Sequence, residues 1–249
     1  MNNPLVSIIT PSFNCSNSIF KTIDSVLNQT YQNWELLIAD DCSSDNSCEV
    51  IEKFTALDSR IKLIRRDWNA GPAVTRNRAI SEAKGRYIAF LDADDTWYPS
   101  KLEKQIAFMQ SKNIALSYTS YRRVHEDGRE LGVVNVPESV SYSDILKTNS
   151  IGCLTACYDT ELLGKVYMPN IAKRQDLGLW LKILKRIDNA YALEGCLADY
   201  YVGVSTVSSN KIAAAKYQWR IYREVEKLPL LKAAYYFVSY ASAAVLNRL

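Results

Sequence analysis

Four short apolar runs punctuate the first hundred residues, and each is followed by a segment with a different period. Leu5 to Thr10, Trp34 to Ala39, Ile61 to Ile64 and Tyr87 to Leu91 are rich in β-branched or aromatic residues and read as strands. Between them, Ile19, Ile23, Val26 and Leu27 fall on one helical face, as do Val50, Ile51 and Phe54. The stretch from Pro72 to Ala83 opens with proline in its first turn, where a missing N–H costs nothing. Ser-Asn and Asp-Cys-Ser-Ser-Asp clusters precede the helices and offer capping oxygens. Strand and helix in alternation, joined by short connections, imply right-handed crossovers and a doubly wound α/β domain with a mostly parallel sheet.

Beyond Pro99 the pattern loosens into a smaller mixed region. A helix is expected from Ser100 to about Ser111, then a strand over Ala115–Tyr121, a turn at His125-Glu126-Asp127-Gly128 and a second run over Leu131–Val136. Asp-Gly between two such runs signals a hairpin. A helix from Asp176 to Ile187 places Leu177, Trp180, Leu181, Leu184 and Ile187 on one face, and two strands, Ala190–Leu193 and Asp199–Val204, follow. This body, residues 1–207, carries 23 Lys/Arg against 25 Asp/Glu, whereas residues 208–249 carry seven against two. A basic helical tail on a near-neutral body points to an anionic surface as a partner. An overall charge of +3 excludes nucleic-acid binding through a broad basic face.

Six cysteines (Cys15, Cys42, Cys48, Cys153, Cys157 and Cys196) are too sparse in 249 residues for a disulfide framework. The single histidine, His125, is remote from them, which argues against an ordinary zinc site. Buried free thiols in a reducing compartment are expected, and the start Met1-Asn2-Asn3-Pro4 shows no basic leader, so the expected location is cytoplasmic.

Ligands of open parallel sheets bind beyond the carboxyl ends of the strands. Here those ends read Thr10-Pro11-Ser12-Phe13-Asn14, Asp40-Asp41-Cys42-Ser43-Ser44-Asp45 and Asp92-Ala93-Asp94-Asp95. Asp92 and Asp94, one residue apart in an extended segment, can aim two hard oxygen donors at one point, which suits Mg2+ or Mn2+ bridging to phosphate. Asp45 and Asp95 are expected to cap the helices that follow them.

These ends belong to a longer string of blocks: Val6–Asn14, Ser25–Tyr31, Trp34–Asp45, Asn69-Ala70-Gly71 with Arg76–Ala79, Gly85–Asp95 and Arg174–Lys182. In order and spacing they resemble the inverting family 2 glycosyltransferases. The resemblance implies a GT-A fold and transfer of a sugar from a nucleotide diphosphate donor, commonly a UDP-sugar. It implies that Pro11, Phe13, Asn14, Asp40, Asp41, Arg76, Asp92 and Ala93 contact the nucleotide. Asp94 and Asp92 would hold Mn2+ or Mg2+, Asp94 more directly, and Asp176 would be the base that deprotonates the acceptor hydroxyl. Two positions depart from the family pattern. Gln175 stands where glutamate is frequent, and Cys42 stands where glycine is usual, so its turn must avoid positive φ or carry strain.

The stretch Val204-Ser205-Thr206-Val207-Ser208-Ser209-Asn210-Lys211, followed by Tyr217-Gln218-Trp219-Arg220, resembles the tails of bacterial enzymes that build capsule, O-antigen or teichuronic-type chains on polyprenyl diphosphate acceptors at the inner face of the cytoplasmic membrane. The tail's apolar run Ala233–Leu246 is short of the ~20 residues a spanning helix needs. Either it lies in the interface with Tyr217, Trp219, Tyr222, Tyr235, Tyr236 and Tyr240 near the headgroups, or it folds back as a helical hairpin. Trp97 and Trp180 are the aromatic candidates for stacking on an acceptor sugar. The main alternative is a haloacid dehalogenase-like phosphatase, since Asp92-Ala93-Asp94-Asp95-Thr96 fits D-x-D-x-T with Asp92 as nucleophile. A sugar- or nucleotide-binding module without catalysis has little support, because Asp92, Asp94 and Asp176 are all present.

Overall fold

A computed structural model describes residues 3–203 and 211–246. The boundary expected near residue 207 and the tail motif over 204–210 lie outside the described residues. The strands are β1 (Val6–Ser12), β2 (Trp34–Asp40), β3 (Ile61–Arg65), β4 (Tyr87–Phe90), β5 (Thr96–Trp97), β6 (Leu116–His125), β7 (Glu130–Val134), β8 (Ser139–Ser141), β9 (Cys157–Asp159) and β10 (Asn189–Val202). The helices are α1 (Ile19–Leu27), α2 (Ser47–Leu57), α3 (Pro72–Glu82), α4 (Lys101–Lys112), α5 (Tyr142–Lys147), α6 (Thr160–Leu163), α7 (Gln175–Leu184), α8 (Lys211–Arg220) and α9 (Leu230–Leu246).

One sheet runs β3-β2-β1-β4-β9-β6-β10-β5, with β7 beside β6 and β8 beside β10. The half built from the first four strands is parallel throughout. The reversal comes at β9, antiparallel to both β4 and β6, and it begins the mixed half. Register positions the site. β1 runs beside β2 from Val6 opposite Trp34 to Ser12 opposite Asp40, whereas its pairing with β4 stops at Ile9 opposite Phe90. The chain after Phe90 therefore leaves the sheet at the level where β1 and β2 present their carboxyl ends.

Strand alternation divides the core. Ile8 joins Ile19, Ile23 and Val26 of α1 on one face, while Ile9 joins Phe90, Ala79 and Trp180 on the other. Trp180 is fully buried edge-on to Phe90, with centroids 5.7 Å apart. Trp97 is also buried, its indole N–H donating to the Leu154 carbonyl at 2.7 Å. Neither ring can stack on a sugar, which corrects the sequence expectation.

Other expectations shift at their edges. The hairpin forms, with β6 longer than expected and Gly128 at φ 89 in the turn. The two expected strands after residue 189 are one strand, β10, whose pairing with β6 shifts register on either side of Cys196. Gly195 at φ 115 makes that irregularity possible, and the polar Glu194-Gly195 pair is what reads as a break in the sequence. All six cysteines are free, but only Cys157 is fully buried and Cys42 is exposed.

The tail packs on the domain. Ile221 and Tyr222 are buried, and the Tyr222 hydroxyl donates to the Leu146 carbonyl at 2.5 Å. Trp219 meets Phe237 edge-on, Tyr236 lies against Tyr222, and the Tyr240 hydroxyl accepts from Arg174 at 2.8 Å. Of the aromatic residues expected at headgroups, Trp219, Tyr222, Tyr236 and Tyr240 thus face protein, and Tyr217 is half-buried under Arg220. Tyr235 is exposed.

Candidate active site

The ends of β1 and β2 are laced together by side chains. Asp40, 2 % exposed, accepts from Ser12 Oγ at 2.9 Å, Ser43 N at 2.8 Å and Ser43 Oγ at 2.6 Å. Asp41 reaches the other way and accepts from Ala70 N at 3.0 Å and Gly71 N at 2.8 Å. Both expected nucleotide carboxylates thus also organise loops. Gly71, at φ 86, ends that loop and begins α3, a backbone state that disfavours any side chain. Asn14 sits at φ 48 and its Oδ1 accepts from Ser44 N at 2.9 Å, tying the β1 loop to the β2 loop. Cys42 does take the left-handed conformation, at φ 65, so its turn carries the strain a glycine would avoid. Pro11 is half-buried between these strands, and Phe13 projects from the rim, 51 % exposed.

From α3, Arg76 crosses to the end of β4, where its Nη2 lies 2.5 Å from Asp92 Oδ1. Arg76 is 6 % exposed, and its buried Nε has no partner. Ala93 is buried and Asp94 points outward. Desolvation among the surrounding loops, then repulsion from Asp92, pushes the Asp94 carboxyl up to about 6. Asp95 is not a helix cap: it is buried, and Oδ1 accepts from Tyr201 N at 3.0 Å. Burial, together with Asp94 and Asp92, holds its carboxyl well above the usual range, and the residue stitches the acidic loop to β10. Asp45 behaves as expected, accepting from Ser47 N at 3.0 Å at the start of α2.

The opposite wall comes from α7. Arg174, left-handed at φ 64, precedes it, and Asp176 is its second residue, in the first turn rather than at the N-cap. Asn149, in the segment after α5, donates from Nδ2 to Asp176 Oδ2 at 3.2 Å. The other amide atom of Asn149, Oδ1, is buried without a partner. Asp92, Arg76, Asn149, Cys153, Arg174 and Asp176 line one cavity of about 570 Å³. The two carboxylate groups expected to work together therefore share a hollow. Asp94 is exposed and lies outside that lining.

Three wall residues carried no sequence signal. Asn149 is one, and the other two are Tyr121 and Tyr200, an edge-to-face pair with centroids 6.0 Å apart in the same cavity. They come from β6 and β10, and only the sheet brings them together. A larger hollow of about 1300 Å³ shares Asn135 and Val136 with this one but contains none of the expected site residues.

The arrangement fits a divalent cation in a limited way. Among the described residues no three His, Cys, Asp or Glu side chains form a cage. Asp94 and Asp92 repel one another, and a hard cation there would relieve that repulsion. The remaining ligands would have to come from a diphosphate and water, as Mg2+ and Mn2+ commonly allow.

Known proteins align with this geometry. The family model described as "Glycosyl transferase family 2" matches residues 7–157. A Bacillus subtilis (strain 168) protein, TuaG, whose name assigns it provisionally to teichuronic acid biosynthesis as a glycosyltransferase, is 46 % identical over 247 residues, covering 99 % of this chain and 98 % of its own. An Escherichia coli UDP-Glc:alpha-D-GlcNAc-diphosphoundecaprenol beta-1,3-glucosyltransferase, WfgD, is 41 % identical over 243 residues, covering 96 % and 93 %. Among solved structures, residues 1–349 of S. aureus TarS with UDP-GlcNAc superpose with a TM-score of 0.74 at 20 % identity, covering 95 % of this chain and 71 % of that one. The phosphatase alternative gains no support from these matches, and Asp92, its would-be nucleophile, is held by Arg76.

Proposed function

The chain belongs to glycosyl transferase family 2, and from that membership we propose how its cleft transfers a sugar in bacterial surface polysaccharide synthesis. The donor is a UDP-sugar and the acceptor a saccharide on a polyprenyl diphosphate, as in the names of the relatives from Escherichia coli. The chain works peripherally on the inner face of the cytoplasmic membrane. The observation that carries this reading is the single cavity in which Arg76–Asp92 face Asn149–Asp176.

Asp41, Phe13 and Pro11 border the nucleoside, and Asp40 and Asn14 hold the loops that shape its pocket. Arg76, fixed by Asp92, lies beside the diphosphate. Asp94, with Asp92, would hold Mn2+ or Mg2+, which when bound neutralises charge on the departing diphosphate. Asp176 takes the proton from the acceptor hydroxyl as that oxygen attacks the anomeric carbon from the face opposite the diphosphate. The bond to the diphosphate oxygen breaks in the same displacement, so an α-linked donor gives a β-linked product. Asn149 donates to the base and keeps its amide oxygen for a hydroxyl of the acceptor. Tyr121 and Tyr200 offer the apolar wall against which the acceptor ring rests.

The test is UDP release from a panel of UDP- and GDP-sugars with Mn2+ and a lipid-diphosphate-sugar mimic. Turnover is expected to stop with chelator and in Asp94→Ala, and to fall roughly 100-fold or more in Asp176→Asn, the range for loss of a general base. Full turnover of Asp176→Asn overturns the base assignment, and turnover that ignores chelator overturns the metal.

A further inference from the structure

We propose that the outward face of α9 is the surface by which this chain lies on an anionic lipid bilayer; the purpose of that seat rests on the lipid-linked acceptor proposed above, whereas its existence rests on the helix itself. α9 meets the domain through Ala233, Tyr236, Phe237 and Tyr240. At 3.6 residues per turn the opposite face carries Leu231, Tyr235, Val238 and Ser242, spaced i, i+4, i+7 and i+11. Leu231 is 85 % exposed, Val238 64 % and Tyr235 60 %, and Leu230 beside them is 60 % exposed.

A helix resting on a domain in water ordinarily turns charge outward. α9 has one charged residue, Lys232, and no acidic one, so its outward face offers water only the hydroxyls of Tyr235 and Ser242 beside exposed Leu231 and Val238. No helix among the described residues is long and apolar enough to cross a membrane. A helix of 17 residues, about 25 Å long, instead suits the plane of the interface.

Charge selects the occupant. From residue 220 to 249 the sequence has five basic residues and two acidic ones; Glu224 is paired with Arg220 and Glu226 with Lys185, while Arg223, Lys227 and Lys232 are all exposed near the start of α9. That rim attracts anionic headgroups. It disfavours a second copy of the chain, since a two-fold contact through this face brings like charges together.

The seat also touches the cleft wall. α9 packs on α5, which leads directly into Thr148 and Asn149 of the cavity. Its Tyr240 accepts from Arg174, another lining residue. A bilayer under α9 therefore presents the acceptor side of the cavity to molecules anchored in that bilayer.

The experiment is flotation of the full chain with vesicles of phosphatidylcholine alone or mixed with phosphatidylglycerol, for the parent and for Leu231→Glu/Val238→Glu. Far-ultraviolet circular dichroism and UDP release to a soluble acceptor mimic are measured alongside. The parent is expected to float with the anionic vesicles, less so in high salt. The double variant should lose roughly tenfold or more of that partition with fold and soluble turnover unchanged. Equal partition of parent and variant, or no preference for anionic vesicles, overturns the proposal. A parent dimer in solution that the same substitutions dissociate also overturns it, in favour of self-association. A parent that floats but releases UDP from no donor leaves the seat standing and refutes the transferase reading instead.

Discussion

Lys101 is the most informative residue to perturb outside the cleft. It opens α4, is 0 % exposed, and its Nζ has no hydrogen-bond partner. The ammonium sits 3.5 Å above the centroid of the Trp97 ring. Burial pushes the amine down to about 7, against an ordinary value near 10.5. The unfolded chain thus binds a proton more readily than the folded one between those values, so stability rises with pH across that window. With these two values the cost of holding Lys101 in the core is about 4 kcal/mol at pH 7 and about 2 kcal/mol at pH 9. The ring face favours the ammonium by about 1–2 kcal/mol when desolvated, which trims the pH 7 figure and leaves the pH 9 figure, where the buried amine is neutral, nearly unchanged. Lys101→Met keeps the volume and removes the amine. Urea unfolding from pH 7 to 9 should show the variant more stable than the parent at pH 7 by a few kcal/mol, and the gap should close by about half at pH 9. Buried tyrosines such as Tyr118, whose raised value erodes stability at the alkaline end, are common to both proteins and cancel in the difference, whereas the Cys157 thiol feels Lys101, so the comparison stops at pH 9, below the range in which that thiol titrates. Parallel pH curves for parent and variant would show that Lys101 is solvated or paired, and the reasoning would fail.

Two further outcomes follow from the cleft. Asn149→Ala is expected to lower kcat roughly 10-fold or more, because Asp176 loses the donor that orients it, while KM for the UDP-sugar stays unchanged; Asn149→Asp, which sets a second carboxylate against the base, should lower kcat further. An equal change in donor KM would place Asn149 on the nucleotide side instead. For Asp94, raised to about 6, metal binding requires the ionised form, so the apparent affinity for Mn2+ measured by titration calorimetry should fall about tenfold per unit of pH below 6 and level off above it. A flat profile from pH 5 to 7 would remove Asp94 from the metal site.

How much of this could be read from the chain depends on how local each cause is. The parallel half was legible because its signals are local: apolar runs, a proline in the first turn of α3, and acidic clusters at strand ends. Its register follows, since shifting β1 by one residue would exchange Ile8 and Ile9 between two different cores. The mixed half was less legible. β10 reads as two strands because Glu194-Gly195 interrupts the apolar pattern, although a left-handed glycine is what lets the strand continue past its irregularity. Trp97 and Trp180 were attractive as platforms because large aromatics near motifs resemble sites, yet burial is the commoner fate of such rings. Tyr121 and Tyr200 lie far apart in the sequence, and only the β6–β10 pairing makes them a wall.

The acidic residues show the same division within one motif. Asp92, Asp94 and Asp95 are chemically equivalent in the sequence, and the fold gives each a different state. Asp92 is neutralised by Arg76, Asp94 is left outward with its ionisation opposed, and Asp95 is sealed in the core beside β10. The differences arise from what the loop meets: α3 on one side, β10 on the other, and open space between. A carboxylate paired through one oxygen has only the other to offer a cation, and one that is sealed has no access to it. Of the three, Asp94 alone combines access with an unmet demand for positive charge. The selection among identical side chains is therefore made by the elements packed around the loop, and it is the reason that the outward aspartate, rather than the first of the motif, should govern metal affinity.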